Sequence, residues 1–154
     1  MLKKPLDPAR ALVRAEELCA RAEHSTGEIS RKLYQWGVAS DEADRIIDSL
    51  TGRRFLDDRR FAAAYVRDKL EYGGWGRRKI ALGLYQKRVA RDIAADALAA
   101  VDEDAYARRL ADLLARKRRT IAEPDTYDGR TRLYRWAVMR GFEPALVAAA
   151  IRAM

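Results

Sequence analysis

Residues 29–47 read ISRKLYQWGVASDEADRII, residues 80–98 read IALGLYQKRVARDIAADAL, and residues 133–151 read LYRWAVMRGFEPALVAAAI. Set in register, they carry apolar residues at the same places. Ile29, Leu33, Val38, Ala43 and Ile47 match Ile80, Leu84, Val89, Ala94 and Leu98, and these match Leu133, Ala137, Phe142, Val147 and Ile151. The successive shifts are 51 and 53 residues. Each stretch spaces its apolar side chains as one helix face, a tight turn and a second helix face. The period is too long for the helix-pair repeat of about 34 residues and fits a unit of three helices. Units of this kind bury their faces on their neighbours and stack into an elongated, curved body. The expected fold is therefore all-α: three tandem three-helix repeats, 1–51, 52–101 and 102–154, forming a solenoid-like body.

Working outward from the repeat, no stretch alternates apolar and polar residues for long, and helical spacing recurs throughout. Ile46, Ile47 and Leu50 share a face, as do Phe61, Ala64 and Tyr65, and Leu110, Leu113 and Leu114. Capping chemistry marks the starts: Asp7 before Pro8, the box Ser25/Glu28, Asp57 or Asp58, and Asp128. Gly37 and Gly141 stand where a helix must stop. The spacing predicts nine helices, over 8–23, 26–36, 41–51, 57–72, 76–87, 90–100, 103–120, 129–140 and 144–152. Phe55 and Leu56 read as an apolar staple ahead of the fourth. Trp36, Tyr65, Tyr106 and Trp136 read as core residues, Cys19 as a small core residue and His24 as a capping-region residue.

Composition narrows the function. The chain has 154 residues, 31 Lys+Arg against 23 Asp+Glu, and a net charge of +8. One cysteine and one histidine exclude an intramolecular disulfide, a cysteine zinc site and an HExxH helix. No phosphate-binding glycine loop and no nucleophile elbow occurs. The adjacent acids Asp57 and Asp58 are followed at once by Arg59 and Arg60, which argues against a metal. The reading is a non-enzyme with no cofactor. No apolar run is long enough to span a membrane, and the residues after Met1 lack the apolar region of a signal peptide. A reducing cytoplasm is expected.

The positive charge is uneven. Residues 1–51 carry −1, residues 52–101 carry +6 and residues 102–154 carry +3. A local field of that sign attracts phosphates or an acidic protein surface. Arg77, Arg78 and Lys79 open a helix, where cations oppose its dipole at about 0.3–1 kcal/mol each. Three such residues in succession point to an anionic partner, met by the guanidinium groups and by N–H groups of the helix N-terminus. Arg53, Arg54, Arg67 and Lys69 extend the patch. Trp75, between Gly74 and Gly76, either stacks on a base, plugs a partner's pocket or anchors helix to helix. The run Arg116-Lys117-Arg118-Arg119 suits the end of its helix electrostatically.

The residues also carry a family resemblance. Arg54–Arg67, RFLDDRRFAAAYVR, resembles the signature of the RecX family of recombination regulators. Gly74, Gly76, Ile80 and Leu84 are similar to that family's following helix start. Ser25, Glu28, Ile29, Lys32, Leu33 and Gly37 match its first unit, and Arg140-Gly141-Phe142 its final turn. The match is collinear from about residue 10 to 152. Two positions depart from the pattern: Gly83 replaces a helix-favouring Glu, and Arg88 replaces a turn glycine. The resemblance implies a non-enzymatic modulator of RecA in DNA repair and the SOS response; a monomer is expected. It implies lodging in the groove of the RecA–DNA filament, impairing ATP hydrolysis, strand exchange and filament growth, with weak, sequence-independent affinity for DNA. Two other readings stay open. One is a direct DNA-binding protein whose helix–turn–helix-like units present Arg77, Arg78, Lys79 and Gln86 to bases; the other is a helical scaffold whose charge is incidental.

Overall fold

The computed structural model describes residues 4–154, so Met1–Lys3 of the N-terminal reading lie outside the described residues. Among the described residues the chain forms helices and no strand. They are α1 (Pro8–Arg21), α2 (Thr26–Gln35), α3 (Ser40–Gly52), α4 (Asp58–Glu71), α5 (Arg77–Gln86), α6 (Arg91–Ala99), α7 (Glu103–Arg118), α8 (Tyr127–Met139) and α9 (Pro144–Arg152). The all-α expectation and the three-helix repeat hold, and the predicted helix ends fall within two residues of these.

The caps explain that agreement. Asp7 accepts from the Arg10 N–H ahead of Pro8. Ser25 and Glu28 close the expected capping box, each side chain taking the other's backbone N–H. Asp57 accepts from the Arg60 N–H and so caps α4, while Asp58 turns outward from that role and accepts from Thr26 N at 2.7 Å. One start differs. Thr126 rather than Asp128 caps α8, its hydroxyl accepting from Gly129 N at 3.1 Å, because the turn before it brings Thr126 Oγ1 onto the Glu123 carbonyl.

The repeat is visible in the turn that ends α2, α5 and α8. Val38 N donates to Leu33 O, Val89 N to Leu84 O, and Phe142 N to Ala137 O, the long bond of a Schellman closure. The residue at the crest has φ +77° at Gly37, +59° at Arg88 and +99° at Gly141. Arg88 thus keeps the left-handed shape that glycine adopts in the other two turns, at a cost of about 1–2 kcal/mol for an L side chain. Ile29, Leu33, Val38, Ile80, Leu84, Val89, Leu133, Ala137 and Phe142 are all buried, as the register requires.

Two packing details differ from the sequence reading. Ile46 is the buried residue of its pair and Ile47 only packs at the edge. On α4 the buried side chains are Phe61, Ala62 and Val66, with Ala64 and Tyr65 half-exposed. A helix that buries adjacent residues has a broader apolar stripe than a single i, i+4 row.

The chain makes two compact units. The first comprises Met1–Ala64 and Leu84–Ala94; the second comprises Tyr65–Gly83 and Ala95–Met154. The core of the first includes Ala11, Ala15, Ile29, Leu33, Ile46, Leu50 and Leu56, with Trp36, Cys19 and Phe55 packed at its edge. Burial pushes the Cys19 thiol up from its ordinary pKa. The core of the second includes Tyr106, Leu110, Leu114, Leu133, Phe142 and Val147, with Trp136 at its edge.

Candidate functional site

Within the second unit, the turn between α4 and α5 is fastened to the turn between α8 and α9. Gly76 N donates to Arg140 O at 2.7 Å and Arg78 N to Gly141 O at 3.0 Å. Arg140 answers from its side chain, donating to the carbonyls of Gly74 at 3.0 Å and Gly73 at 2.6 Å. The backbones approach so closely that a Cβ on Gly76 would fall inside Gly141 and Phe142, and a Cβ on Gly141 would meet Lys79. The two glycine motifs, 65 residues apart in sequence, therefore form one joint that sets where α5 begins.

That joint alters the expected chemistry of Arg77, Arg78 and Lys79. The Arg77 N–H donates to the Tyr106 hydroxyl at 3.0 Å. With Gly76 and Arg78 N–H also committed, the helix N-terminal donors expected to face a phosphate are turned into the fold. The Arg77 guanidinium donates to Glu143 at 2.9 Å and to Glu103 at 2.5 Å, and its carbon lies 4.1 Å from the centre of the Tyr106 ring. Its side chain is only 20% exposed. The anions that Arg77 needs are internal, so this residue positions α5 rather than displaying charge.

The cluster is electrostatically coherent. The hydrogen bond to Glu103 raises the Arg77 pKa further above its ordinary value, against the opposing effect of burial. Burial, together with the hydrogen bond to Glu143, raises that of the Tyr106 hydroxyl. For Glu143 burial pushes up, but the hydrogen bonds from Tyr106 and Arg77 outweigh it and hold the carboxyl below its ordinary value.

Trp75 is half-buried and serves as an anchor between helices. It meets Tyr65 edge-on with centroids 6.5 Å apart, and the ammonium groups of Lys69 and Lys79 lie 4.5 and 4.4 Å from its ring centre. Tyr65 explains the glycine at 83, since a Cβ there would collide with the Tyr65 hydroxyl. Arg78 is exposed beside this cluster, and Arg67, 61% exposed, has Asp68 at 3.8 Å. The second unit thus brings Lys69 and Lys79 together on Trp75, and carries Arg67 on α4 and Arg78 on α5.

Arg53 and Arg54 belong to the first unit. Arg53 pairs with Glu16 at 2.9 Å and covers Phe55; Arg54 is exposed, in a left-handed turn with φ +63°. Of the run at the end of α7, Arg118 pairs with Asp125 and Lys117 lies over Trp136. Sequence reasoning missed the internal role of Arg77 because Glu103 and Glu143 lie 26 and 66 residues away. It also missed a basic groove in the first unit, lined by Arg31, Lys32, Lys87 and Arg88. The net charge of that third of the chain concealed the groove, although the i, i+1 bases on α2 were legible.

The tandem three-helix units and the absence of strands among the described residues define an all-α helical-repeat protein. The profile described as "RecX, first three-helix domain" matches residues 11–50, and "RecX, second three-helix domain" matches residues 57–98. The "Regulatory protein RecX" of Xanthomonas oryzae pv. oryzae (strain MAFF 311018) is 34% identical over 141 residues, covering 90% of this chain and 85% of that protein. That of Mycobacterium marinum (strain ATCC BAA-535 / M) is 32% identical over 134 residues, covering 83% and 77%. The crystal structure of RecX from Lactobacillus salivarius superposes with a TM-score of 0.80 at 20% identity, over 95% of both chains. The chain belongs to the RecX family of regulatory proteins.

No helix among the described residues is long and apolar enough to cross a membrane.

Proposed function

We propose that this chain is a non-catalytic, monomeric regulator that docks on the RecA–DNA filament in the cytoplasm and restrains ATP hydrolysis, strand exchange and filament growth. It contacts the filament through Arg53 and Arg54 of the first unit and through Arg67, Lys69, Arg78 and Lys79 of the second, with Trp75 and Arg77 holding the last two in place. The repeats 1–51, 52–101 and 102–154 are its building units. Family membership supports the partner, and one observation supports the surface. Arg78 and Lys79 ride on a turn fixed by backbone hydrogen bonds to Arg140 and Gly141, so their charges are presented from a preorganised base.

The test is co-sedimentation with RecA filaments assembled on single-stranded DNA. Wild-type protein is expected to pellet with the filament, and Arg78→Glu/Lys79→Glu to remain largely in the supernatant at the same salt. Equal pelleting of both would remove this surface from the contact. Direct base reading by α5 is the weaker alternative, because the N–H groups of Gly76, Arg77 and Arg78 are donated within the fold. Sequence-selective duplex binding, measured with its salt dependence, would restore it.

A further inference from the structure

The second unit contains a pocket of about 290 Å³ between the turn that joins α7 to α8, α8 itself and the end of α9. Buried Leu133 and half-buried Ile151 and Pro124 give it an apolar lining, and Arg118, Arg130 and Arg152 complete it with charge. We infer that this pocket receives an acidic peptide segment of a partner protein. One large apolar side chain of that segment seats on Leu133 and Ile151, and Arg130 and Arg152 hold the carboxylates that flank it. The pocket shares no residue with the proposed filament contact and does not rest on it.

Charge comes first. Three arginines line the pocket against one acid, Asp125, and that acid already pairs with Arg118. Arg130 and Arg152 are exposed and have no ion-pair partner among the described residues. Arg152 lies in the last turn of α9, where a cation suits the helix dipole. Arg130 has no such reason: it is the fourth residue of α8, near the end whose field repels positive charge. The wall opposite is rigid. Glu123 holds φ +52° without being glycine, and its carbonyl accepts from both the N–H and the hydroxyl of Thr126, at 3.2 and 2.8 Å. A Cβ on Gly129 would fall on that carbonyl and on Pro124, so the turn is pressed against the start of α8. Two unanswered cations beside an apolar lining, on a fixed frame, form a site for a ligand that is both anionic and apolar.

The choice of ligand rests on the remaining lining groups. No aromatic ring is among them, so a nucleobase finds no surface to stack on. Inorganic phosphate would use the arginines and leave the apolar surface bare. The volume lies at the lower end of the range for small-molecule sites, enough for one large side chain and too little for a long acyl chain. Asp125 decides for a peptide. Arg118 takes its Oδ1, and the carboxylate is 82% exposed, which leaves Oδ2 to accept a hydrogen bond. A peptide backbone brings N–H donors to that oxygen, whereas phosphates and fatty acids bring none at neutral pH. Met154, also in the lining, is a flexible and polarisable side chain that adapts to an aliphatic or an aromatic residue.

The test is fluorescence anisotropy of a labelled octapeptide, one phenylalanine among aspartates and glutamates, titrated with the full chain at low salt. Saturable binding is expected, and Arg130→Glu/Arg152→Glu should weaken it by about 10-fold or more. Both side chains are exposed, so this variant should melt like wild type. Arg132→Glu/Arg135→Glu makes the same change of net charge at exposed positions of α8 outside the pocket, and should bind within about 2-fold of wild type. A peptide with alanine in place of the phenylalanine should bind about 10-fold more weakly or worse. No saturable binding, or equal losses in the two charge reversals, would overturn the inference. So would equal affinity for the alanine peptide, or displacement by inorganic phosphate as effective as by unlabelled peptide. If Arg78→Glu/Lys79→Glu abolishes peptide binding while the pocket reversal does not, the pocket is refuted and the filament contact stands.

Discussion

Replacing Ser25 by Ala tests how the first unit is held together. Ser25 is completely buried, and its hydroxyl makes two bonds at once. It accepts from Glu28 N at 3.0 Å as the cap of α2, and donates to Lys87 O at 2.7 Å, 62 residues away. Loss of a helix cap costs about 0.5–2 kcal/mol. A carbonyl left without its donor in a part-buried setting adds about 1–3 kcal/mol. The expected destabilisation is about 2–4 kcal/mol, a large share of the 5–15 kcal/mol typical of a folded domain. For a chain of this size it lowers Tm by roughly 5–15 °C. Thermal melts followed by far-ultraviolet circular dichroism, with urea titrations for ΔG, measure it. Asp7→Ala is the control: its bond to Arg10 N is exposed and 3.4 Å long, so only the cap is lost, at about 0.5–1 kcal/mol. A Ser25→Ala effect no larger than that of Asp7→Ala would refute the claim that this hydroxyl ties α2 to the end of α5.

Arg77→Ala leaves Glu103 and Glu143 without their cation and is expected to cost about 2–4 kcal/mol, whereas Arg78→Ala on the exposed face stays within about 0.5 kcal/mol; urea titration compares them. Glu143 gives a pH dependence of known sign. Its folded pKa lies below the unfolded value near 4.5, so its contribution is fully present above that pH and is lost as pH falls through the folded pKa. Stability measured between pH 6 and pH 3 should therefore fall less steeply in Glu143→Gln than in wild type. Gly83→Ala puts a methyl group against Tyr65 and is expected to destabilise by about 1–3 kcal/mol. In a Tyr65→Ala background the same change should be neutral or stabilising, because alanine is the better helix former; a double-mutant cycle in urea reads the reversal.

Local chemistry was legible because it is written locally. Asp7, Ser25, Glu28, Gly37 and Gly141 mark helix ends through bonds that span three to five residues, and the apolar register of 29–47 recurs twice. What the sequence could not display is which distant residues answer one another. The excess of bases at 77–79 points to an external anion, but two of the acids that balance it arrive from the start of α7 and from the residue that precedes α9. The glycines at 74–76 and at 141 look like separate turns until the backbones meet. Net charge per segment misled in the other direction. Residues 1–51 sum to −1, yet their bases Arg31 and Lys32 share one face of α2 with Lys87 and Arg88 across the groove.

The central claim is that the cations beside the α4–α5 turn let this protein restrain RecA. The most direct measurement is the DNA-dependent ATPase of RecA from the same organism, at low salt, titrated with wild-type protein and with Arg78→Glu/Lys79→Glu. The account predicts suppression by wild type at amounts well below one per RecA subunit, and relief of that suppression by the double reversal in a variant that melts like wild type. Undiminished ATPase activity in the presence of wild-type protein, or equal suppression by the reversed variant, would contradict it.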